Sequence, residues 1–284
     1  MTSIGGGFVG LFDMPDPDQH ETKCHVCHRT APLTKEHVPP RAAFNNESRI
    51  WERLNPWSAR QRASSRPEWR TQVLRETWQN GFYVESLCAG CNSSMGGDVV
   101  KAYARHARNL AEAPRLFEPR GGKRMVRVHE DTLLLARQIA TMILAIERTE
   151  FGDLHSDLRA FARGDLKSVL PPFRVLAFLV PQRPDAGTIS RAQYRGNGLS
   201  SGYAALAGEI SMFPFGIVYA FELAHRYRPL DLADITHWFS ASAPVDRLNA
   251  WIETSSRLTV LNSVYCALGN ARYYPQIDTV LPRG

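Results

Sequence analysis

The pattern of apolar positions indicates a buried helix in the middle of the chain. Residues 131–148 (DTLLLARQIATMILAIER) are apolar on most faces of a helix, so this helix is predicted to lie in a core. Asp131 or Thr132 can cap its start, and Arg148 lies near its end. A shorter helix is predicted near Leu232–Phe239.

After residue 148 the pattern becomes that of strands. Three stretches are enriched in β-branched and aromatic residues, which predicts strands, and Gly202–Phe213 and Leu258–Tyr265 are two further candidates. The three enriched stretches are Arg174–Val180, Thr188–Tyr194 and Gly216–Leu223. Gly196-Asn197-Gly198 predicts a hairpin turn between two of these five stretches. Helices and strands in this order predict an α+β domain with a mostly antiparallel sheet.

Two domains, an N-terminal arm and a linker follow from the distribution of residue types. Residues 1–20 are rich in Gly, Asp and Pro and are predicted to form a flexible arm. Residues 21–112 hold all the recognisable metal-ligand patterns and form an N-terminal domain. Residues 111–124 are predicted to be a linker or an exposed turn. Residues 125–284 form the larger α+β domain, for which regulation, dimerisation and targeting are all open roles.

Bulk composition adds only weak constraints on partners and compartment. The net charge of +6 favours a polyanionic partner. No apolar run reaches 18 residues, and the N-terminus lacks the basic start and apolar core of a signal peptide, so no membrane association is expected. Four of the five cysteines have metal-ligand spacing and only Cys266 is left over, which favours a reducing cytoplasm.

Residues 41–80 form a basic, tryptophan-rich insertion. The segment holds eight arginines, four glutamates and four of the six tryptophans of the chain. Arginines can neutralise phosphates and indole rings can stack on bases, which makes Arg41, Arg60 and Arg62 candidate nucleic-acid ligands. The alternative is an irregular insertion with packed tryptophans and solvated arginines.

Basic residues also recur along the segment that follows residue 97. Lys101, Arg105 and Arg108 form a stripe that either tracks a phosphate backbone or is a solvated face. Asp98 and His106 could add a metal ligand or a DNA contact, but ordinary helix-surface positions are favoured for both.

Two CxxC pairs carry the strongest chemical signal. Each pair forms a tight turn that directs two sulfur atoms to one point, so Cys24, Cys27, Cys88 and Cys91 are predicted to hold a structural zinc ion. Two unrelated reduced pairs or a redox CxxC are the alternatives, and the repeated spacing favours zinc. The region has few apolar residues, so zinc is expected to be required for folding. The nearby His20, His25 and His28 are predicted to be surface histidines.

The pattern between and after these pairs resembles the zinc-stapled branch of the HNH endonuclease family. That branch has a CxxC, an acidic residue with His, an apolar residue and Pro, and then LCxxCN with a following Gly. The chain has Cys24-His-Val-Cys27, Glu36-His37-Val38-Pro39 and Leu87-Cys88-Ala-Gly-Cys91-Asn92-Ser-Ser-Met-Gly96. The resemblance covers about residues 22–106.

The resemblance implies a ββα-metal fold and a metal-dependent nuclease. His37 would be the general base that activates water, and Glu36 and Asn92 would be ligands of a catalytic Mg²⁺ or Mn²⁺ ion. The implied activity is hydrolysis of phosphodiester bonds in DNA, with RNA not excluded, in phage defence or restriction. A cut through both strands would need two active sites, which makes a homodimer plausible. A small-molecule or protein activator is a further option.

Two departures from the family pattern favour a different function. The acidic residue is Glu36, where Asp is common, and Tyr83 occupies the position of the middle Asn that commonly orients the loop of the base. Asn80 lies nearby but out of register. The alternative is a non-catalytic zinc module that binds nucleic acid or protein, in which Glu36 and His37 are structural.

Overall fold

The computed structural model describes residues 22–47, 49–53, 74–78, 80–113, 123–128, 130–180, 188–196, 204–223, 233–240, 251–255 and 279–282. The predicted arm at 1–20, the predicted strand at 258–265 and the turn residues Asn197 and Gly198 lie outside them. The described part combines helices with antiparallel sheets, which confirms the α+β class.

The described residues contain five α-helices. They are α1 Ala89–Met95, α2 Asp98–Ala111, α3 Thr132–Ile146, α4 Thr149–Leu154 and α5 Ser156–Arg163. Helix α3 is the predicted apolar helix, and its N-terminus is capped because the Asp131 carboxylate accepts a hydrogen bond from the Leu133 N–H (2.8 Å). No helix in this part of the chain has the length and apolar character needed to cross a membrane.

The strands form three antiparallel sheets within the described residues. Their bounds are β1 Leu33–His37, β2 Arg49–Arg53, β3 Leu74–Trp78, β4 Tyr83–Cys88, β5 Lys123–Arg127, β6 Arg174–Leu179, β7 Thr188–Gly196, β8 Ala204–Met212, β9 Phe215–Leu223, β10 Ala233–Asp234, β11 Trp251–Ser255 and β12 Thr279–Pro282. Strand β1 pairs with β4, and β5 pairs with β11. The other eight form one sheet in the order β10-β6-β9-β8-β7-β12-β2-β3. Strands β6 to β9 confirm four of the five predicted strands.

The predicted helix near Leu232–Phe239 is wrong. This stretch contains the two-residue strand β10 and a 3₁₀ turn, Thr236–Phe239. The Asp234 carboxylate accepts hydrogen bonds from the Thr236 N–H (3.0 Å) and hydroxyl (2.5 Å). Such a local side-chain contact competes with helical hydrogen bonding, which explains the tight turn.

Strands β2 and β3 place part of the basic insertion in the large sheet. Strand β2 pairs with β3 and with β12, and β12 pairs with β7. The insertion is therefore joined to the C-terminal segment by backbone hydrogen bonds, although it interrupts the segment that carries the cysteines.

One cluster of buried residues includes both sequence segments. It contains Cys24 and Leu87 from the first segment, Ile139 and Leu144 from α3, and Trp238 from the 3₁₀ turn, each at most 1% exposed. Helix α3 contacts α2 and β4 on one side and α5 on another. Because α3 is buried on nearly every face, it joins the metal-ligand segment to the large sheet.

Candidate metal centre and active site

The four cysteines of the two CxxC pairs converge on one point. Cys24 and Cys27 lie at the turn before β1, Cys88 ends β4, and Cys91 lies in the first turn of α1. Their sulfur atoms lie within 4.8 Å of one another, and those of Cys27 and Cys88 are 3.7 Å apart. Tetrahedral bonds of about 2.3 Å require sulfur separations of about 3.8 Å. The four free thiols can therefore hold a metal ion, and their geometry is compatible with a structural zinc.

Hydrogen-bond donors offset the cost of burying charged sulfur. Burial raises the pKa of the Cys24 and Cys91 thiols. Burial acts in the same direction on Cys27, but hydrogen bonds led by that of the Arg29 side chain lower its pKa to about 6. The Cys88 N–H points at the Cys24 sulfur at 3.3 Å. Because metal ligands must be thiolates, these donors favour the form that binds a metal.

The first CxxC turn is fixed by helices from the C-terminal segment. His25 is only 3% exposed, and its Nδ1 atom lies 2.9 Å from the Leu144 carbonyl oxygen of α3. Nη1 of Arg163, at the end of α5, donates a hydrogen bond to the Val26 carbonyl (2.9 Å). The backbone and side chains of the turn are therefore held by partners more than a hundred residues away.

The prediction that His25 and His28 lie at the surface is wrong. The Nδ1 atom of His28 lies 2.7 Å from the Asp153 carboxylate of α4, and the His28 side chain is 12% exposed. Both histidines are covered by helices distant in sequence, which no local pattern reveals. His20 lies outside the described residues.

Asn92 links α1 to β1 through hydrogen bonds. Its Nδ2 atom donates to the Thr34 hydroxyl (3.0 Å) and to the Lys35 carbonyl (3.2 Å). The Thr34 hydroxyl in turn donates to the Leu87 carbonyl of β4 (2.8 Å). With Nδ2 engaged in this way, Oδ1 of Asn92 accepts no hydrogen bond from any described residue and remains available to a ligand.

Glu36 lies on the same face of β1 as Thr34, because side chains two apart along a strand share a face. It is half-buried, and burial raises the pKa of its carboxyl group to about 7. No residue in the described stretches gives Glu36 a hydrogen bond or an ion pair. A half-buried carboxyl group without a cation partner can serve as a metal ligand.

His37 ends β1 and lies on the opposite face of the strand. Its Nε2 atom is 3.1 Å from the Asn80 carbonyl oxygen, which can only accept, so Nε2 carries the proton. The lone pair of a neutral ring is then on Nδ1. Burial lowers the pKa of His37, and this favours the neutral ring at physiological pH.

Asn45 is the residue of this site that the sequence pattern did not reveal. It is 2% exposed, its Nδ2 atom donates to the carbonyls of Pro39 (2.6 Å) and Phe82 (2.7 Å), and its Oδ1 atom accepts from the Phe82 N–H (2.7 Å). Asn45 thereby ties the loop after His37 to the turn before β4.

The turn held by Asn45 presents the carbonyl group that His37 contacts. Asn80 and Gly81 both have positive φ, and a Cβ atom at Gly81 would lie 2.0 Å from the Asn45 carbonyl oxygen. The Asn-Gly pair is a turn signal that could have located this turn. Its link to Asn45 could not be read from spacing.

The predicted basic stripe on α2 is partly neutralised. Arg105 forms a two-pronged pair with Glu130, with N···O distances of 3.1 and 2.8 Å. Lys101 lies 4.0 Å from the Asp98 carboxylate, and both side chains are exposed. A nucleic-acid contact by Arg105 would have to replace its pair with Glu130, whereas Lys101 is easily available. Both contacts stay predictions.

The remaining candidate site residues differ in their burial. Asp98 is exposed, as predicted, but the surface position predicted for His106 is wrong, since His106 is 2% exposed and packs edge-on against the Phe215 ring at 5.1 Å. Arg41 is exposed in the 3₁₀ turn that follows β1. Arg60 and Arg62 lie outside the described residues.

Within the described residues, the cysteine quartet is the one group of three or more His, Cys, Asp or Glu side chains that gathers its ligand atoms. The catalytic ion implied for Glu36 and Asn92 therefore has only the chemistry of those two side chains in its favour. Comparisons of the chain with family models, with curated proteins and with solved structures found no match.

Proposed function

We propose that the protein is a metal-dependent HNH-type endonuclease that hydrolyses phosphodiester bonds in DNA, with a structural zinc ion in the cysteine quartet. The observation that carries the proposal is the state of three side chains beside β1. Glu36 has no cation partner among the described residues, Oδ1 of Asn92 accepts no hydrogen bond from them, and Nδ1 of His37 holds a lone pair. Half-buried polar groups are normally paired, so groups that the chain leaves unpaired are available to ligands.

The order of elements around the cysteines supports the same proposal. Strands β1 and β4 pair in antiparallel register, and α1 follows β4 directly. Glu36 and His37 end the first strand, and Asn92 lies in the first turn of the helix. A strand–strand–helix order with an acid–histidine pair at the end of the first strand and an asparagine in the helix supports the HNH proposal.

Each candidate residue has a distinct role in the proposed reaction. Nδ1 of His37 would accept a proton from the attacking water, while the Asn80 carbonyl holds the ring in position. The oxygens of Glu36 and Asn92 would hold Mg²⁺ or Mn²⁺, both of which prefer oxygen ligands. A bound divalent ion supplies positive charge that stabilises the phosphate as it is attacked. Because Glu36 and His37 leave β1 on opposite faces, the phosphate would lie across the end of this strand.

The test is cleavage of plasmid DNA by the full-length, zinc-loaded protein. Wild type, His37→Ala and Glu36→Gln are each incubated with Mg²⁺, with Mn²⁺ and with a chelator. Nicking or linearisation that needs the divalent metal and falls at least about 100-fold in His37→Ala supports the proposal. Zinc content and thermal unfolding of the variants show whether the loss of activity is a loss of fold. Parallel assays with an RNA oligonucleotide and a DNA oligonucleotide of the same sequence establish which polymer is cut.

A non-catalytic zinc module is the second candidate, and the His37–Asn80 hydrogen bond is the observation that favours it. In that reading, the imidazole ring ties β1 to the turn before β4 and does no chemistry. Wild-type protein that retains zinc but cuts neither DNA nor RNA with any metal, and a His37→Ala variant that is only less stable, would support this candidate and reject the endonuclease.

A further inference from the structure

The face of the β1–β4 pair that carries His37 also carries an exposed lysine. The register places His37 opposite Tyr83 and Lys35 opposite Glu85, so these four side chains share one face of the sheet. Lys35 and Glu85 are exposed, whereas His37 and Tyr83 are half-buried. The face is therefore open to solvent at one end and anchored by two rings at the other.

The lysine is held in place by the tyrosine. The ammonium nitrogen of Lys35 lies 4.5 Å from the centroid of the Tyr83 ring, within the range of a cation–π contact. The same ring lies 5.8 Å from the His37 ring. Tyr83 thus links the lysine to the histidine, and it restricts a long side chain that would otherwise sample many rotamers.

A second cation follows β1 in the chain. Arg41 is exposed in the 3₁₀ turn that follows β1. The positive charges of Arg41 and Lys35 both act on the His37 ring, where they add to burial in lowering its pKa. His37 therefore feels two positive charges, which belong to different local elements.

We propose that Lys35, Tyr83 and Arg41 form a phosphate strip, which binds the nucleic-acid backbone beside the bond next to His37. The location of the cut rests on the proposed endonuclease function, but the binding itself needs only the two cations and the ring. Each cation contacts one phosphate, and the Tyr83 ring packs against a sugar or base. Glu85 opposes the strip because it adds a negative charge to the same face.

Binding measurements on full-length, zinc-loaded protein test the strip without cleavage. Fluorescence anisotropy is recorded over a series of salt concentrations, without Mg²⁺ or Mn²⁺, using labelled DNA and RNA of one sequence in single-stranded and duplex form. Lys35→Ala is expected to weaken binding about five- to tenfold and to reduce the slope of log K against log salt by about one. Tyr83→Leu is expected to weaken binding similarly, and Glu85→Gln to strengthen it.

Lys167→Ala is the matched control, because Lys167 is an exposed lysine outside the strip. Zinc content and melting temperature confirm that each variant is folded. Unchanged affinity and salt slope in Lys35→Ala would overturn the strip, and so would an equal loss in Lys167→Ala or a wild type that binds no nucleic acid. The labelled nucleic acid that binds with the highest affinity identifies the polymer that the strip prefers.

Parallel cleavage assays separate this inference from the endonuclease. Cleavage that needs His37, combined with unchanged binding in Lys35→Ala, would reject the strip and keep the nuclease. Binding that depends on Lys35, in a protein that cuts nothing with any metal, would keep the strip and reject the nuclease.

Discussion

The first CxxC turn and the end of β1 differ in how some of their polar groups are paired. In the turn, His25 and the Val26 carbonyl both have hydrogen-bond partners on helices from the C-terminal segment. At the end of β1, Glu36 has no cation partner among the described residues, and Nδ1 of His37 is the lone-pair nitrogen. Both regions belong to one metal-ligand segment, and they also differ in burial, since His25 is buried whereas Glu36 and His37 are half-buried.

The comparison teaches how to separate structural from functional polar groups. A polar group whose partners are all supplied by the chain contributes to stability, and its loss costs free energy of folding. A half-buried group that the chain leaves without a partner destabilises the fold, so its presence favours a ligand or a reaction. Four predictions sharpen or break this distinction, and they follow from the largest expected effect to the smallest.

Replacing a ligand of the cysteine quartet should have the largest effect. Cys88→Ser removes a thiolate, and structural zinc contributes on the order of 10 kcal/mol to small domains, so we expect loss of the metal and unfolding around it. Zinc content per chain and circular-dichroism melting measure this. Cys266→Ser is the matched control, since Cys266 belongs to neither CxxC pair. A Cys88→Ser protein with full zinc content and an unchanged melt would contradict a structural zinc site.

Asn45→Ala should cost about 2–4 kcal/mol of unfolding free energy, because it removes three buried hydrogen bonds to the backbone of Pro39 and Phe82. If the nuclease proposal holds, cleavage should fall as well, since the turn that holds His37 loosens. Urea unfolding measures the free energy of unfolding. Asn46→Ala is the control, because Asn46 is exposed beside Asn45 and should change little. Equal stability of the two variants would refute the role assigned to Asn45.

Glu36→Gln should raise the stability of zinc-loaded protein measured without Mg²⁺ or Mn²⁺. The pKa of Glu36 is raised from 4.5 to about 7, so between these values the folded protein keeps a proton that the unfolded chain has lost. Stability therefore falls as pH rises from about 4.5 to 7. Removing the charge should restore about 1–2 kcal/mol at pH 8, less than the full shift implies because the group is partly exposed.

The measurement for Glu36→Gln is melting temperature against pH. Glu85→Gln is its control, since Glu85 is exposed on the opposite face of the same pair of strands. A wild-type profile that is as flat as that of Glu36→Gln between pH 4.5 and 8 would show that Glu36 is not strained by burial, and the contrast with the CxxC turn would fail.

Arg163→Met should have the smallest effect, about 1 kcal/mol, because it removes the hydrogen bond to the Val26 carbonyl at the edge of the core. Asp165→Asn is the control, since it breaks the surface pair of Arg163 with Asp165 (2.6 Å) and leaves the Val26 contact in place. Chemical denaturation measures the unfolding free energy of both variants. Equal losses would mean that the surface pair, and not the contact with the turn, accounts for the stability.

The sequence was most informative where a residue's role depends on its near neighbours. The apolar helix at 131–148 and its Asp131 cap were predictable because helical periodicity and capping act within a few residues. Strands β6 to β9 were predictable for the same reason. The prediction of a helix near Leu232–Phe239 failed because the Asp234 carboxylate accepts hydrogen bonds from Thr236, and these compete with helical hydrogen bonding.

By itself, the sequence identified the four cysteines that could hold a metal ion, since the two CxxC spacings are local patterns, and it put Glu36, His37 and Asn92 forward through a local motif. Only the tertiary structure decided that His25 is buried under α3, that Arg105 is paired with Glu130, and that Asn45 holds the turn facing His37. The physical reason is distance along the chain. Spacing encodes contacts within a turn or strand, whereas these contacts form when the shared core brings separate segments together.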